Sequence, residues 1–142
     1  MDAIEMMGRI AASWKRRTGG RLLAFGITLP QYNLIRLARQ RGSIKPSTAA
    51  EELAIDRPTT TVVLRRCVEE GWLGRSRSTA DHRSIRLQLT GAGEELLDRI
   101  EATRPFAASA FGDPLDVLDG EERAALLRLL DRVQRRAADI WR

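Results

Sequence analysis

The chain has 142 residues, of which 43% are apolar and 30% charged, the balance of one globular domain with an apolar core. Its 24 basic residues outnumber 19 acidic ones, and no apolar run reaches the roughly 18 residues a membrane-spanning helix needs. One cysteine (Cys67) and one histidine (His82) exclude an intrachain disulfide and leave a zinc site short of ligands.

The first residues, Met1-Asp2-Ala3-Ile4-Glu5, carry early acids and lack the basic start and apolar stretch of a signal peptide, so a cytoplasmic protein is expected. Ile4, Met7, Ala11 and Trp14 then recur at helical spacing, which predicts an amphipathic helix over 2–18. Gly19-Gly20 predicts a break or kink after the basic cluster Lys15-Arg16-Arg17, before residues 21–25 resume and Gly26 closes the segment. Thr28, Pro30 and Gln31 carry the signature of a capping box, and the helix they open runs through Tyr32, Leu34, Ile35 and Leu37 to Gly42.

Ser43-Ile44-Lys45 reads as a short extended piece, and Pro46-Ser47-Thr48 opens a brief helix over 49–54. Asp56 is placed to cap a second helix, with Pro58 in its first turn and Gly71 at its end. Two short helices joined by a turn of about three residues make a helix-turn-helix. Residues 72–76 read as a strand, Ser78-Thr79-Ala80-Asp81 as a turn, and Ile85-Arg86-Leu87-Gln88-Leu89 as a half-buried strand of period two. Together they form a β-hairpin. Thr90 caps a following helix carrying Leu96, Leu97 and Ile100, which Pro105 kinks or ends. A last helix from about Asp119 repeats Leu126, Leu130, Val133, Ala137 and Ile140, the seam of a helix packed along another.

The basic excess is concentrated. From Arg57 to Arg86 there are seven arginines against three acids, and four of the seven fall between Arg75 and Arg86. That stretch contains the second helix of the helix-turn-helix and the hairpin, which points to nucleic acid. No nucleophile motif, metal-ligand cluster or phosphate-cradling glycine loop accompanies it, so neither catalysis nor a cofactor is expected.

In this order of elements the chain resembles the MarR family of regulators. Gly26-Ile27-Thr28-Leu29-Pro30-Gln31-Tyr32 is similar to the family's opening of its second helix. Asp56-Arg57-Pro58-Thr59-Thr60-Thr61, closed by Glu70-Gly71-Trp72-Leu73, is similar to its recognition helix. Asp81-His82-Arg83 and Leu87-Gln88-Leu89-Thr90-Gly91-Ala92-Gly93 are similar to its wing. Cys67 stands where the family usually has leucine, and Val62 where many members carry a polar or basic residue.

The resemblance implies a mainly α fold with a small β-hairpin wing. One domain, 1–142, would comprise a winged helix-turn-helix over about 27–90, flanked by helical dimerisation parts over about 1–26 and 91–142. It implies a homodimeric, sequence-specific repressor on a pseudo-palindromic double-stranded operator, released by a small aromatic or phenolic effector. The recognition helix would enter the major groove with Arg57, Thr59, Thr60 and Thr61 leading and Arg65 and Arg66 on the backbone. The backbone N–H groups at the start of that helix would suit a phosphate. Arg75, Arg77 and Arg86 would meet phosphates. Arg83 would enter a minor groove, with Asp81 pairing it to hold it in place. Trp14, Arg16 and Arg17 would bind the effector, with the basic cluster Lys15-Arg16-Arg17 meeting its carboxylate. The competing readings are that the threonines only cap the helix, that Lys15-Arg16-Arg17 is a solvated face, and that the fold is a protein-interaction module without specific DNA binding.

Overall fold

The computed structural model describes residues 1–77, 84–103 and 113–141. In chain order they form α1 (Ala3–Leu23), α2 (Leu29–Arg41), α3 (Pro46–Leu53), α4 (Arg57–Glu69), β1 (Leu73–Arg77), β2 (Ile85–Leu89), α5 (Gly91–Ala102) and α6 (Gly120–Ile140). The chain divides into two units, Met1–Pro105 and Phe106–Arg142. Among the described residues no helix is long and apolar enough to cross a membrane.

Helix starts follow capping chemistry. At α2 the Gln31 N–H donates to Thr28 Oγ1 while the Thr28 N–H donates to Gln31 Oε1 at 2.9 Å, so two otherwise orphaned donors are satisfied reciprocally. Asp2 with Glu5 and Asp119 with Glu122 build the same box at α1 and α6. Helix ends follow backbone freedom. Gly42 after α2 and Gly71 after α4 take φ of 75° and 79°, a region that costs a residue with a Cβ.

Two expected helix boundaries are corrected. The break at Gly19-Gly20 does not occur, because α1 runs unbroken through both glycines to Leu23. Thr18 and Leu22, on either side of the pair, are fully buried and pin this stretch against the core, which offsets the helix cost of glycine of about 1 kcal/mol per residue. Gly26, with φ 70°, lies in the turn beyond the end of α1. The second correction is smaller: α3 starts at Pro46 rather than at 49, since proline lacks the N–H that the first helical position leaves unpaired anyway.

Nothing within 4 Å opposes a Cβ at Gly19 or Gly20. Gly19→Ala and Gly20→Ala are therefore each expected to stabilise the protein by about 1 kcal/mol, read as a higher midpoint in denaturant at fixed protein concentration. A lower midpoint would mean that the chain needs the break the sequence suggests.

The core of the first unit surrounds α2. Tyr32, Leu34, Ile35, Leu37 and Ala38 are buried there, and α2 packs on α1, α3, α4, α5 and β2. Ile44, Val63, Leu64, Cys67, Leu73, Leu87, Leu97 and Ile100 are among the other residues buried with it. From the outer side of α2, Arg39 reaches three carboxylates of α5: Glu94 at 2.9 Å, Asp98 at 2.6 Å and Glu101 at 3.0 Å. Their spacing along α5 places all three on one helix face.

β1 and β2 pair antiparallel, with Leu73 opposite Leu89, Arg75 opposite Leu87 and Arg77 opposite Ile85. Ile44 adds one bridge to β2, exchanging backbone hydrogen bonds with Leu87 at 3.0 and 2.9 Å. The strand starts at Leu73 rather than 72 because the Trp72 N–H is taken by the Cys67 carbonyl in closing α4. In the second unit, α6 buries none of its residues, and Leu127, Leu129, Leu130, Val133 and Ile140 lie exposed along it.

Candidate nucleic-acid interface

The turn from α3 into α4 is built without glycine. Ala54 adopts φ 51° and ψ 42°, the left-handed region, and the Ile55 N–H donates back to the Ala50 carbonyl at 3.3 Å. This costs an L-residue roughly 1–2 kcal/mol, offset by the burial of both helices it joins. It delivers Asp56 as the cap of α4. The Thr59 N–H and hydroxyl both donate to the Asp56 carboxylate at 2.8 Å. Those two bonds hold its carboxyl below the usual carboxylate range, so the cap is an anion at neutral pH.

The cap changes what the start of α4 can offer a phosphate. Pro58 has no N–H, the Thr59 N–H is bonded to Asp56, and the Thr60 N–H is bonded to the Asp56 carbonyl at 2.9 Å. Of the backbone N–H groups expected to suit a phosphate here, those of residues 58–60 are therefore absent or taken, and that of Arg57 remains. Thr60 also leaves the group of outward residues. It is 3% exposed and its hydroxyl donates to the Asp56 carbonyl at 2.9 Å. One helical turn carries it onto the face of Val63, Leu64 and Cys67, all buried.

α4 turns Arg57, Pro58, Thr59, Thr61, Val62, Arg65, Arg66 and Glu69 to solvent. The Thr61 hydroxyl donates to the Arg57 carbonyl at 3.0 Å and keeps its lone pairs for an incoming donor. Arg65 and Arg66 each approach Glu69 only to 3.8 Å, and exposed pairs of that length hold a side chain weakly. Their guanidinium groups remain able to reach a polyanion.

The hairpin leaves directly from the end of α4, but its register divides the arginines. Arg75 and Arg77 are exposed and lie opposite Leu87 and Ile85, on one face of the ribbon. Arg86 lies opposite Ser76 on the other face and is only half-exposed. Asp81, Arg83 and His82, with the rest of the hairpin tip, lie outside the described residues. On α1, Trp14, Arg16 and Arg17 are exposed, with Trp14 and Arg17 sharing a side at three-residue spacing. A shallow groove along that helix is lined instead by Met1, Glu5, Gly8, Arg9 and Ala12.

The base of the hairpin is clamped by Thr90, whose capping of α5 is legible in the sequence but whose hold on the end of α4 and the start of β1 is not. The Thr90 hydroxyl donates to the Gly71 carbonyl at 2.5 Å, and its N–H donates to the Trp72 carbonyl at 3.1 Å. The same oxygen accepts the Gly93 N–H at 3.1 Å, capping α5. One threonine thus joins the end of α4, the start of β1 and the start of α5. Gly93 lies so close that a Cβ there would sit 2.4 Å from the Trp72 carbonyl oxygen. Cys67 faces inward, and burial pushes its thiol up to about 12, which leaves almost no thiolate at neutral pH.

The sequence and the order of elements match known proteins. The MarR family model matches residues 27–85, from two residues before α2 to the first residue of β2. The HTH-type transcriptional regulator PecS of Dickeya dadantii is 30% identical over 114 residues, covering 78% of this chain and 67% of PecS. Among solved structures, a mutant MarR from E. coli complexed with operator DNA superposes with a TM-score of 0.79 at 22% identity, covering 91% of each chain. BpsR of Bordetella bronchiseptica, described with regulation of its DNA binding by 6-hydroxynicotinic acid, gives a TM-score of 0.78 at 21% identity, covering 94% of this chain and 93% of that one. The two structures establish the winged-helix fold, and the family model with PecS establishes descent: the chain belongs to the MarR family.

Proposed function

We propose that this chain is a sequence-specific, DNA-binding transcriptional repressor that works as a homodimer in the cytoplasm, without catalysis. The observation that carries the reading is the solvent-facing side of α4, where Arg57, Thr59, Thr61, Arg65 and Arg66 stand exposed beside a hairpin that exposes Arg75 and Arg77. A helix presenting hydroxyls and guanidinium groups suits the major groove, where those groups reach base edges and phosphates. Mutant MarR of E. coli, of the same fold, is complexed with operator DNA.

In this reading residues 27–90 are the DNA-binding part, and 1–26 with 91–142 the helical dimerisation part. Support for the dimer comes from the exposed apolar residues of α1 (Ile4, Ile10, Trp14) and, separately, of α6 (Leu130, Val133, Ile140). A two-fold dimer calls for a pseudo-palindromic operator with half-sites about one helical turn apart. At the hairpin tip, Arg83 enters the minor groove and Asp81 orients it. The test is competition: labelled duplex from upstream of the chain's own gene should be held against a large excess of random duplex. Equal displacement by both duplexes would count against specific recognition of that DNA.

An aromatic acid is the effector class that fits best, by analogy with the 6-hydroxynicotinic acid of BpsR. Trp14 and Arg17, on one side of α1, supply a ring and a guanidinium group for it, and Arg16 adds positive charge on the neighbouring side. Arg16→Ala/Arg17→Ala should weaken release of the protein from DNA by such an acid about tenfold, the value of one charge-assisted contact. An unchanged dose response would remove these residues from the effector site.

A further inference from the structure

Val62 is the one large apolar side chain that α4 exposes, 49% open to solvent, while its neighbours Val63 and Leu64 are buried. It sits on the outward face between Thr61 and the Arg65-Arg66 pair. Folding gives no reason for it. Valine is a poorer helix former than alanine, lysine or glutamate, and at this position it gains little from burial. Its β-branch locks one rotamer in a helix, so its two methyl groups are presented in a fixed direction.

On an operator, that face meets three kinds of surface: phosphates, donor and acceptor edges, and the thymine C5-methyl group. An isopropyl group cannot pair with the first two, and against them it strips water from a polar atom and returns no hydrogen bond. The thymine methyl is the only group in the major groove that rewards it. We infer that Val62 is a specificity-determining residue that reads a thymine by methyl contact, once in each half-site. The inference rests on the DNA-binding reading and adds to it a base preference at one position.

The test works without a known operator. Duplexes enriched from a randomised pool by the wild-type dimer are resynthesised with uracil in place of each thymine in turn, symmetrically in both half-sites. Uracil keeps every hydrogen-bonding group and loses only the methyl. One thymine per half-site is expected at which uracil weakens the wild type about fivefold per half-site, the worth of roughly one buried methyl group. Val62→Ala should bind the thymine and uracil duplexes alike at that position and melt no lower than the wild type. Val62→Thr, which keeps one methyl in the branch, should retain part of the discrimination. If Val62→Ala stays as sensitive to each uracil as the wild type, Val62 reads no methyl and the inference is overturned. If the wild type enriches no duplex at all, the DNA-binding reading fails first and this inference falls with it.

Discussion

Gly93→Ala is expected to cost about 3 kcal/mol of stability, the upper end of what overpacking a well-packed site costs. The added Cβ would lie 2.4 Å from the Trp72 carbonyl oxygen and 2.5 Å from Leu89 Cδ1. A leucine methyl can rotate aside, but a backbone carbonyl that already accepts the Thr90 N–H cannot. Relief therefore requires α5 to back away, which loosens Thr90 from Gly71 and Trp72 and frees the hairpin base. Gly91→Ala, in the same helical turn with nothing within 4 Å, is the control and should be neutral or slightly stabilising. Denaturant midpoints must be compared at one protein concentration, because a dimer's stability depends on it. Equal midpoints for Gly93→Ala and wild type would mean that α5 does not approach Trp72 as described.

The second large effect is expected on DNA. Arg75→Ala/Arg77→Ala removes four guanidinium groups from a dimer, and affinity for duplex should fall at least about a hundredfold at physiological salt. Melting should hardly move, since both side chains are exposed and surface changes of this kind stay within about 0.5 kcal/mol. Arg86→Ala should cost less, because the strand register puts Arg86 on the opposite face of the ribbon and leaves it only half-exposed. A larger loss from Arg86→Ala than from the pair would reverse which face of the hairpin meets the duplex.

Much of this architecture is legible in the sequence because its boundaries are written in local chemistry. Thr28 with Gln31, Asp56 with Thr59, and glycines 42 and 71 each act within a turn of their own position, so spacing alone reveals them. The three threonines after Arg57 are harder. Spacing places them in the first turn of α4, but it is the 100° rotation per residue that turns Thr60 inward with Leu64 and Cys67 and leaves Thr59 and Thr61 outside. That face was readable from the apolar residues three, four and seven positions on.

Other features depend on contacts distant in sequence. Gly19-Gly20 reads as a break until the burial of Thr18 and Leu22 is seen. Ala54 gives no sign of a left-handed turn, since its conformation is imposed by the helices on either side. Gly93 looks like a loose residue near a helix start, and only the approach of Trp72 shows that nothing larger fits. Arg39 is one of many arginines until α5 brings Glu94, Asp98 and Glu101 to it.

The most direct test of the central claim is a salt titration of binding to duplex from upstream of the chain's own gene. Counterion release makes the logarithm of affinity fall linearly with the logarithm of salt concentration, by about 0.9 per phosphate neutralised. With about six to eight arginines of a dimer on phosphates, the slope should lie near −5 to −7 for the wild type and be shallower by about 3 to 4 for Arg75→Ala/Arg77→Ala. Failure of the wild type to bind any duplex even at low salt would contradict the account and leave a winged-helix module that binds protein instead.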